Sequence, residues 1–365
     1  MEYRRNLLTR EWVVFGPDIL TPEAFLNLTT PYHATTELFN PTSDPCPYCP
    51  ENMSSNHNDI FSVKEADLPA GGFPVESSSH TDDWDIKVLP AVQPVFKIET
   101  PLQRFPKRLH DVMKAPGAHE NIVLTRRHGE TAWDLSSKRI ELLLHVLRYR
   151  MQNLYRDTRL GHQYIYMVFG KDFGFLHNHT VMNLTASPFI PFNVKRELDG
   201  AQQWYRMKER CLLSDIYEDE MFKRDMGKPH GILFESINFI ALIPFFARYP
   251  FEIWIMPLDH QCDFIQVEAQ NLSELARLIH RMIIVLHYVL GPYPFLLSIM
   301  TKPNVAWGHE RSYWSTIHSD WLWRITLVPG IPIKNTPLNA FYAGTGIHLN
   351  PVLPETAAAF LREKI

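Results

Sequence analysis

At 365 residues, with 45% apolar content and a formal net charge of −4, the chain can bury a sizeable core but lacks the positive field that draws nucleic acid. Four cysteines in so long a chain do not make a disulfide framework, which fits a reducing, cytoplasmic setting. The N-terminus, Met1-Glu2-Tyr3-Arg4-Arg5, lacks the apolar core of a signal peptide, and the most apolar region, Met282 to Met300, is broken by His287, Gly291, Pro292 and Pro294, so no membrane partner is expected.

Trp12-Val13-Val14-Phe15 reads as a first strand, followed by a long loop punctuated by prolines. Within Asp44-Pro45-Cys46-Pro47-Tyr48-Cys49-Pro50-Glu51-Asn52, the Cys-x-x-Cys spacing brings two thiolates to one point, as a tetrahedral zinc site requires. The competing redox reading wants a helix after the first cysteine, and Pro47 and Pro50 oppose one. Cys211 and Cys262 lie far apart, so the other two ligands of a zinc site would be histidines. His110, His119 and His128 all lie near strand candidate Glu120–Thr125, and spacing alone does not choose among them.

Trp84–Pro90 alternates like a strand, and a helix is expected over Ser136–Arg156 from its apolar stripe Ile140, Leu143, Leu144, Leu147, Met151 and Leu154. The apolar run Tyr164–Phe169 and a glycine-bearing turn, Gly170–Gly174, then lead into Phe175-Leu176-His177-Asn178-His179-Thr180-Val181-Met182-Asn183. If 177–183 is extended, the period of two puts His177 and His179 on one face, roughly 6.5–7 Å apart. One imidazole could then be pinned by a metal while its neighbour stays free as nucleophile or general base. Residues 192–230 are charged and polar, and the acidic run Glu218-Asp219-Glu220 in their middle reads as a solvated face.

The second half repeats the plan: strands at Ile237–Ile243 and Pro250–Pro257, a helix over Leu272–Leu290, strands near Phe295–Met300 and Trp323–Val328, and a short helix near Glu355–Lys364. The order strand, strand, helix, strand, strand in both halves suggests a tandem duplication, giving an α+β chain of antiparallel sheets and packed helices, divided as 1–195 and 196–365.

The cysteine knuckle, the His-x-His, Tyr249-Pro-Phe-Glu-Ile-Trp-Ile-Met-Pro257 and Gly344-Thr-Gly-Ile-His-Leu-Asn-Pro-Val-Leu-Pro-Glu355 together resemble the galactose-1-phosphate uridylyltransferase family, and within it the branch with plant ADP-glucose phosphorylase, over about residues 3–363. The resemblance implies two histidine-triad-like halves in one chain, nucleotidyl transfer through a covalent nucleotidyl-histidine, a nucleotide sugar or sugar phosphate as substrate, and a homodimer. It implies a Zn2+ ion held by Cys46, Cys49, His119 and His177, with His179 as the nucleophile. Gly344-Thr345-Gly346 resembles the segment that contacts the sugar phosphate.

Three positions depart from the family pattern. Where relatives have Gln two residues after the nucleophile, this chain has Val181, which has no donor. Pro90-Ala91-Val92-Gln93-Pro94-Val95-Phe96 lacks the family's ribose-binding Asn, and Gly16-Pro17-Asp18-Ile19-Leu20-Thr21 replaces an arginine-rich phosphate turn. Thr180, Asn183 and Lys171 are the candidate replacement donors. The alternative is a ligand-binding or scaffold protein that keeps the fold. His309-Glu310 and His318-x-Asp320 read as loop polarity, and Arg248 with Glu252 as either a substrate contact or a surface pair.

Overall fold

In the computed structural model the described residues are 2–29, 38, 45–53, 59–67, 83–170, 177–306, 314–330, 342 and 344–365. Lys171, the Gly170–Gly174 turn beyond its first residue, and His309-Glu310 lie outside them.

The chain opens with β1 (Glu2–Arg5), β2 (Trp12–Leu20) and α1 (Pro22–Leu28). The first half continues with β3 (Phe61–Val63), β4 (Ile86–Pro90), the hairpin β5 (Arg104–Lys107) and β6 (His110–Met113), β7 (Ala118–Val123), α2 (Ser137–Tyr155), β8 (His162–Phe169) and β9 (Val181–Ser187). Then come α3 (Phe192–Lys208), α4 (Leu212–Asp225), β10 (Ile232–Glu235), β11 (Phe239–Leu242), β12 (Ile253–Pro257), α5 (Leu272–Leu290), β13 (Phe295–Met300), α6 (Ile317–Asp320), β14 (Arg324–Pro329), β15 (His348–Val352) and α7 (Pro354–Arg362).

A ten-stranded sheet, ordered β10-β11-β12-β14-β13-β8-β9-β7-β4-β3, carries both halves. Each half has the same internal strand order, and the two join where β13 pairs antiparallel with β8, Ser298 opposite Tyr166. β1, β2 and β15 form a separate three-stranded sheet that ties the chain's two ends together. Residues 195 and 196, where the sequence pattern divides the halves, fall inside α3.

Strand alternation gives the large sheet one apolar face throughout. Ile122, Ile165, Met167, Met182, Leu184, Leu297, Ile299, Ile325 and Leu327 all point into one core with the stripes of α2 and α5. Ser136 caps α2 by accepting from the Arg139 N–H at 3.1 Å. The other face is treated differently in the two halves. Across β11 and β12 it is apolar, with Ile240, Leu242, Trp254 and Met256 packed against Leu198 and Ala201 of α3 and Leu212, Leu213 and Ile216 of α4. Across β7, β8 and β9 it carries His119, Asn121, Tyr164, Tyr166, Asn183 and Thr185, and the tyrosines are only partly covered. Among the described residues, only the second half has both faces closed by helices.

Two helices fill most of the charged stretch 192–230, and the acidic run expected to be solvated is only partly so. In Glu218-Asp219-Glu220 the third carboxylate is buried at 3% exposure. Its Oε2 accepts the Gly231 N–H at 2.6 Å and its Oε1 the Lys223 ammonium at 2.7 Å. Glu220→Ala leaves both donors without that acceptor and is expected to lower stability by about 1–3 kcal/mol. Urea unfolding checks this, and Asp219→Ala, at an exposed position, should change little by comparison.

Candidate functional site

The knuckle is a tight turn: Cys49 N–H donates to Cys46 O at 3.3 Å, and the chain continues as a short 3-10 turn, Pro50–Asn52. Asn52 closes it by donating from Nδ2 to Cys46 O at 3.0 Å. Tyr48, Trp84, Val123 and Val181 pack around the thiols as a small apolar cluster of their own. Burial, and after it the Cys46 thiol, push the Tyr48 hydroxyl up to about 12, so it is a donor at neutral pH.

Two further turns face the knuckle. One follows β7: Thr125 Oγ1 bonds the Glu130 carboxylate and accepts the Arg127 N–H at 3.0 Å, turning His128 back toward Cys49. Gly129, at φ +85°, permits the reversal, and its N–H donates to Asn178 O at 2.9 Å. The other is 177–179, where the His179 N–H donates to His177 O at 2.8 Å, a three-residue turn. β9 therefore starts only at Val181, and His177 and His179 do not share an extended face.

The clasp of these turns gathers four ligand atoms within 4.8 Å of one another, from Cys46, Cys49, His128 and His179. His179 Nδ1 lies 3.8 Å from Cys46 Sγ and 3.9 Å from Cys49 Sγ, and His128 Nδ1 lies 3.4 Å from Cys49 Sγ. Bond lengths of about 2.3 Å to sulfur and about 2.0 Å to nitrogen place tetrahedral ligand atoms about 3.5 Å apart, so the cluster could hold a metal ion. His179 Nε2 donates to Thr125 O at 2.8 Å, which fixes the tautomer and turns the Nδ1 lone pair to the thiols. Burial lowers the pKa of this ring and the Thr125 bond partly opposes it, while burial and the neighbouring Cys46 raise that of the Cys49 thiol.

This ligand set corrects the one implied by the family resemblance. Cys46 and Cys49 are together as expected, but the imidazoles beside them are His128 and His179, not His119 and His177. His119 lies on β7, where Nδ1 accepts the Val95 N–H at 3.2 Å and Nε2 meets Asn183 Oδ1 at 3.2 Å. The His177 ring stands edge-on to Tyr48 with centroids 5.8 Å apart. His179 is not a free nucleophile: it is fully buried and both its nitrogens are engaged. Thr180 is also buried, and its hydroxyl donates to Glu130 O at 2.7 Å, so it braces the turn.

Beyond the cluster the polar face is a connected ladder. Tyr48 OH donates to Asn121 Oδ1 at 3.4 Å, and Asn121 Nδ2 donates to Asn183 Oδ1 at 2.8 Å. Asn121 Oδ1 also accepts the Val92 N–H at 3.1 Å, so the loop Pro90–Phe96 is held against the ladder by backbone amides. Gly117 lets that loop come close, since a Cβ there would sit 2.8 Å from Phe96 Cβ. Burial lowers the pKa of His119, with the Asn183 bond opposing, which favours the neutral ring. Asn183 Oδ1 takes two donors, which leaves its NH2 group unengaged among the described residues. Asn121 and His128 are the residues sequence reasoning passed over. His128 was one of three equivalent candidates, and Asn121 carried no signal at all.

Gly344, Thr345 and Gly346 form an exposed turn before β15, with the Gly346 N–H donating to Tyr342 O at 2.7 Å. Arg248 and Glu252 are not a surface pair. The Glu252 carboxylate is buried and accepts from the Arg248 N–H at 2.9 Å and Trp254 Nε1 at 2.9 Å.

No sequence-family profile matches the chain. ADP-glucose phosphorylase of Arabidopsis thaliana is 23% identical over 364 residues, 99% of this chain and 92% of the relative. Galactose-1-phosphate uridylyltransferase of Thermotoga maritima is 23% identical over 381 residues, covering 100% of this chain and 98% of the relative. Over its whole length the chain is thus similar to GalT-like proteins. A solved GalT-like protein from Arabidopsis thaliana has the same fold, with a TM-score of 0.74 at 21% identity over 100% of this chain and 99% of that one. The Arabidopsis ADP-glucose phosphorylase solved with bound ADP-glucose follows at TM-score 0.73 and 21% identity, covering 99% and 98%. Among the described residues no helix is long and apolar enough to cross a membrane.

The two ligand sets make opposite demands on four histidines. Elemental analysis of purified variants should show metal lost from His128→Ala and His179→Ala and kept by His119→Ala and His177→Ala. The reverse pattern would restore the set implied by the resemblance.

Proposed function

We propose that the chain is a nucleotidyltransferase or phosphorylase of the GalT-like kind, taking a nucleotide sugar or sugar 1-phosphate on the polar face of β7, β8 and β9. The observation that carries this reading is the state of Asn183. Its carbonyl is fixed by His119 and Asn121, so its NH2 is oriented in advance for an acceptor that no described residue supplies. A phosphoryl oxygen is such an acceptor, and a donor already in place loses little entropy on binding it. The relatives' names point to the same ligand class, since both concern hexose phosphates or their nucleotide conjugates.

Cys46, Cys49, His128 and His179 would hold zinc, because two thiolates with two imidazoles suit that ion. Four protein ligands leave no open position, so the ion would serve by fixing the knuckle and the start of β9 in place. The protein's own groups do the binding. The Asn183 amide takes a phosphoryl oxygen, Tyr164 and Tyr166, stacked with centroids 5.0 Å apart, offer ring faces and hydroxyls, and the Val92–Val95 loop borders the face.

Calorimetric titration with UDP-glucose, ADP-glucose, galactose 1-phosphate and glucose 1-phosphate tests the reading. At least one should bind, and Asn183→Ala should weaken it about 10- to 100-fold, as expected for a hydrogen bond to a charged group. Wild-type protein that holds its metal and binds none of the four would overturn it.

A further inference from the structure

We infer that this site handles its nucleotide sugar without forming a nucleotidyl-enzyme on β9, because the strand position beside the anchored imidazole is Val181. The inference rests on the nucleotide-sugar reading above.

A nucleophile for the α-phosphorus must stand on the polar face, beside the donors that hold the phosphoryl group, with a lone pair in line with the bond that breaks. Along β9 that face is Val181, Asn183 and Thr185. Val181 lies between the anchored His179 and the unengaged amide of Asn183. It is directly opposite Val123, 1% exposed, and packed with Cys46, Tyr48, Cys49 and Trp84. Its two methyl groups have no electrons to share with phosphorus.

Three described imidazoles, those of His179, His119 and His162, do not take its place. His179 has one nitrogen at the thiols and the other on Thr125 O. His119 has Nδ1 on the Val95 N–H and Nε2 on Asn183. His162 shares the face but lies at the far end of β8, opposite Ser187, at 1% exposure.

Transfer at this site is then a single displacement. An acceptor oxygen forms the new P–O bond as the P–O bond to the sugar phosphate breaks, and the leaving oxyanion departs with the electron pair. Donor and acceptor must be bound together, and no label passes from a sugar 1-phosphate into the nucleotide sugar unless that sugar 1-phosphate is itself the acceptor.

The experiment uses the full chain with the nucleotide sugar that binds in calorimetry. Intact mass and exchange of isotope-labelled sugar 1-phosphate are followed for wild type, for Val181→His, and for Val181→His combined with Val123→Ala, which makes room across the strand pair. Zinc content and thermal unfolding confirm that each protein is folded. The wild type should show no adduct above the protein-free blank. In the histidine variants the new imidazole nitrogen forms the N–P bond as sugar 1-phosphate leaves, so the chain should gain one nucleoside monophosphoryl group and exchange should appear. An adduct in the wild type, at His177 or any other residue, overturns the inference. So do folded, zinc-loaded variants that bind the nucleotide sugar yet form no adduct. Absence of binding in the wild type overturns the nucleotide-sugar reading itself, and is told apart by calorimetry alone.

Discussion

The arrangement of the site depends on one ring having no free nitrogen. His179 donates from Nε2 to the Thr125 carbonyl and faces Nδ1 to the two thiols, so its orientation is fixed from both sides. A ring held in that way fixes the backbone that carries it. The turn 177–179 is pinned to the turn 126–129 through Gly129 and Asn178, and β9 leaves the cluster in a defined register. That register decides which side chains face the open side of the sheet. A slip of one residue would exchange the polar set Asn183 and Thr185 for the core set Met182 and Leu184. The cluster therefore acts on the polar face by setting register, beside the direct Tyr48 bond to Asn121.

The second constraint is the unequal cover of a nearly symmetric sheet. Both halves build five strands in the same order and pack one helix, α2 or α5, on the apolar face. The opposite face of the second half is closed by α3 and α4, whose apolar residues meet Ile240, Leu242, Trp254 and Met256. In the first half the corresponding strands present amides, tyrosines and a histidine. Such groups under a helix would need internal partners or suffer desolvation, at about 1–3 kcal/mol for each one left unsatisfied. Left partly open, they are available to a polar ligand. One half is thus closed on both faces among the described residues, and the other presents a partly open polar face.

Much of this was legible in the sequence where local chemistry alone decides. α5 and β13 fall on the residues their patterns indicate, because a strong apolar stripe and a short buried run leave little choice. The Cys-x-x-Cys knuckle is a local geometry and needed no fold. What failed was what depends on distant partners. His128 is brought to Cys49 across 79 positions of chain by a turn no spacing rule describes. The stretch 177–180 reads as a strand by composition, yet the Thr125 carbonyl and the thiols draw it into a turn, which shifts the expected roles of the two histidines by one step. α3 and α4 were missed because their charged faces outweigh a narrow apolar stripe, and tertiary packing overrides so weak a local signal.

With His179 assigned to the anchor, the pattern of departures becomes coherent. Val181 appears to lack an amide only while His179 is taken as the nucleophile. Once the anchor is His179, the amide on that face is present as Asn183, one step further along the strand. The imidazole is what is absent. Retaining a fixed amide donor beside a valine is of little use for covalent chemistry but suits recognition of a phosphoryl group, since recognition needs donors in place and no lone pair. The branched side chain adds a dry wall between the knuckle and the ladder, and hydrogen bonds beside a dry wall are stronger than those competing with water. On the proposed reading, a phosphate ester on this face would meet donors already in place, and the attacking group would come from the acceptor.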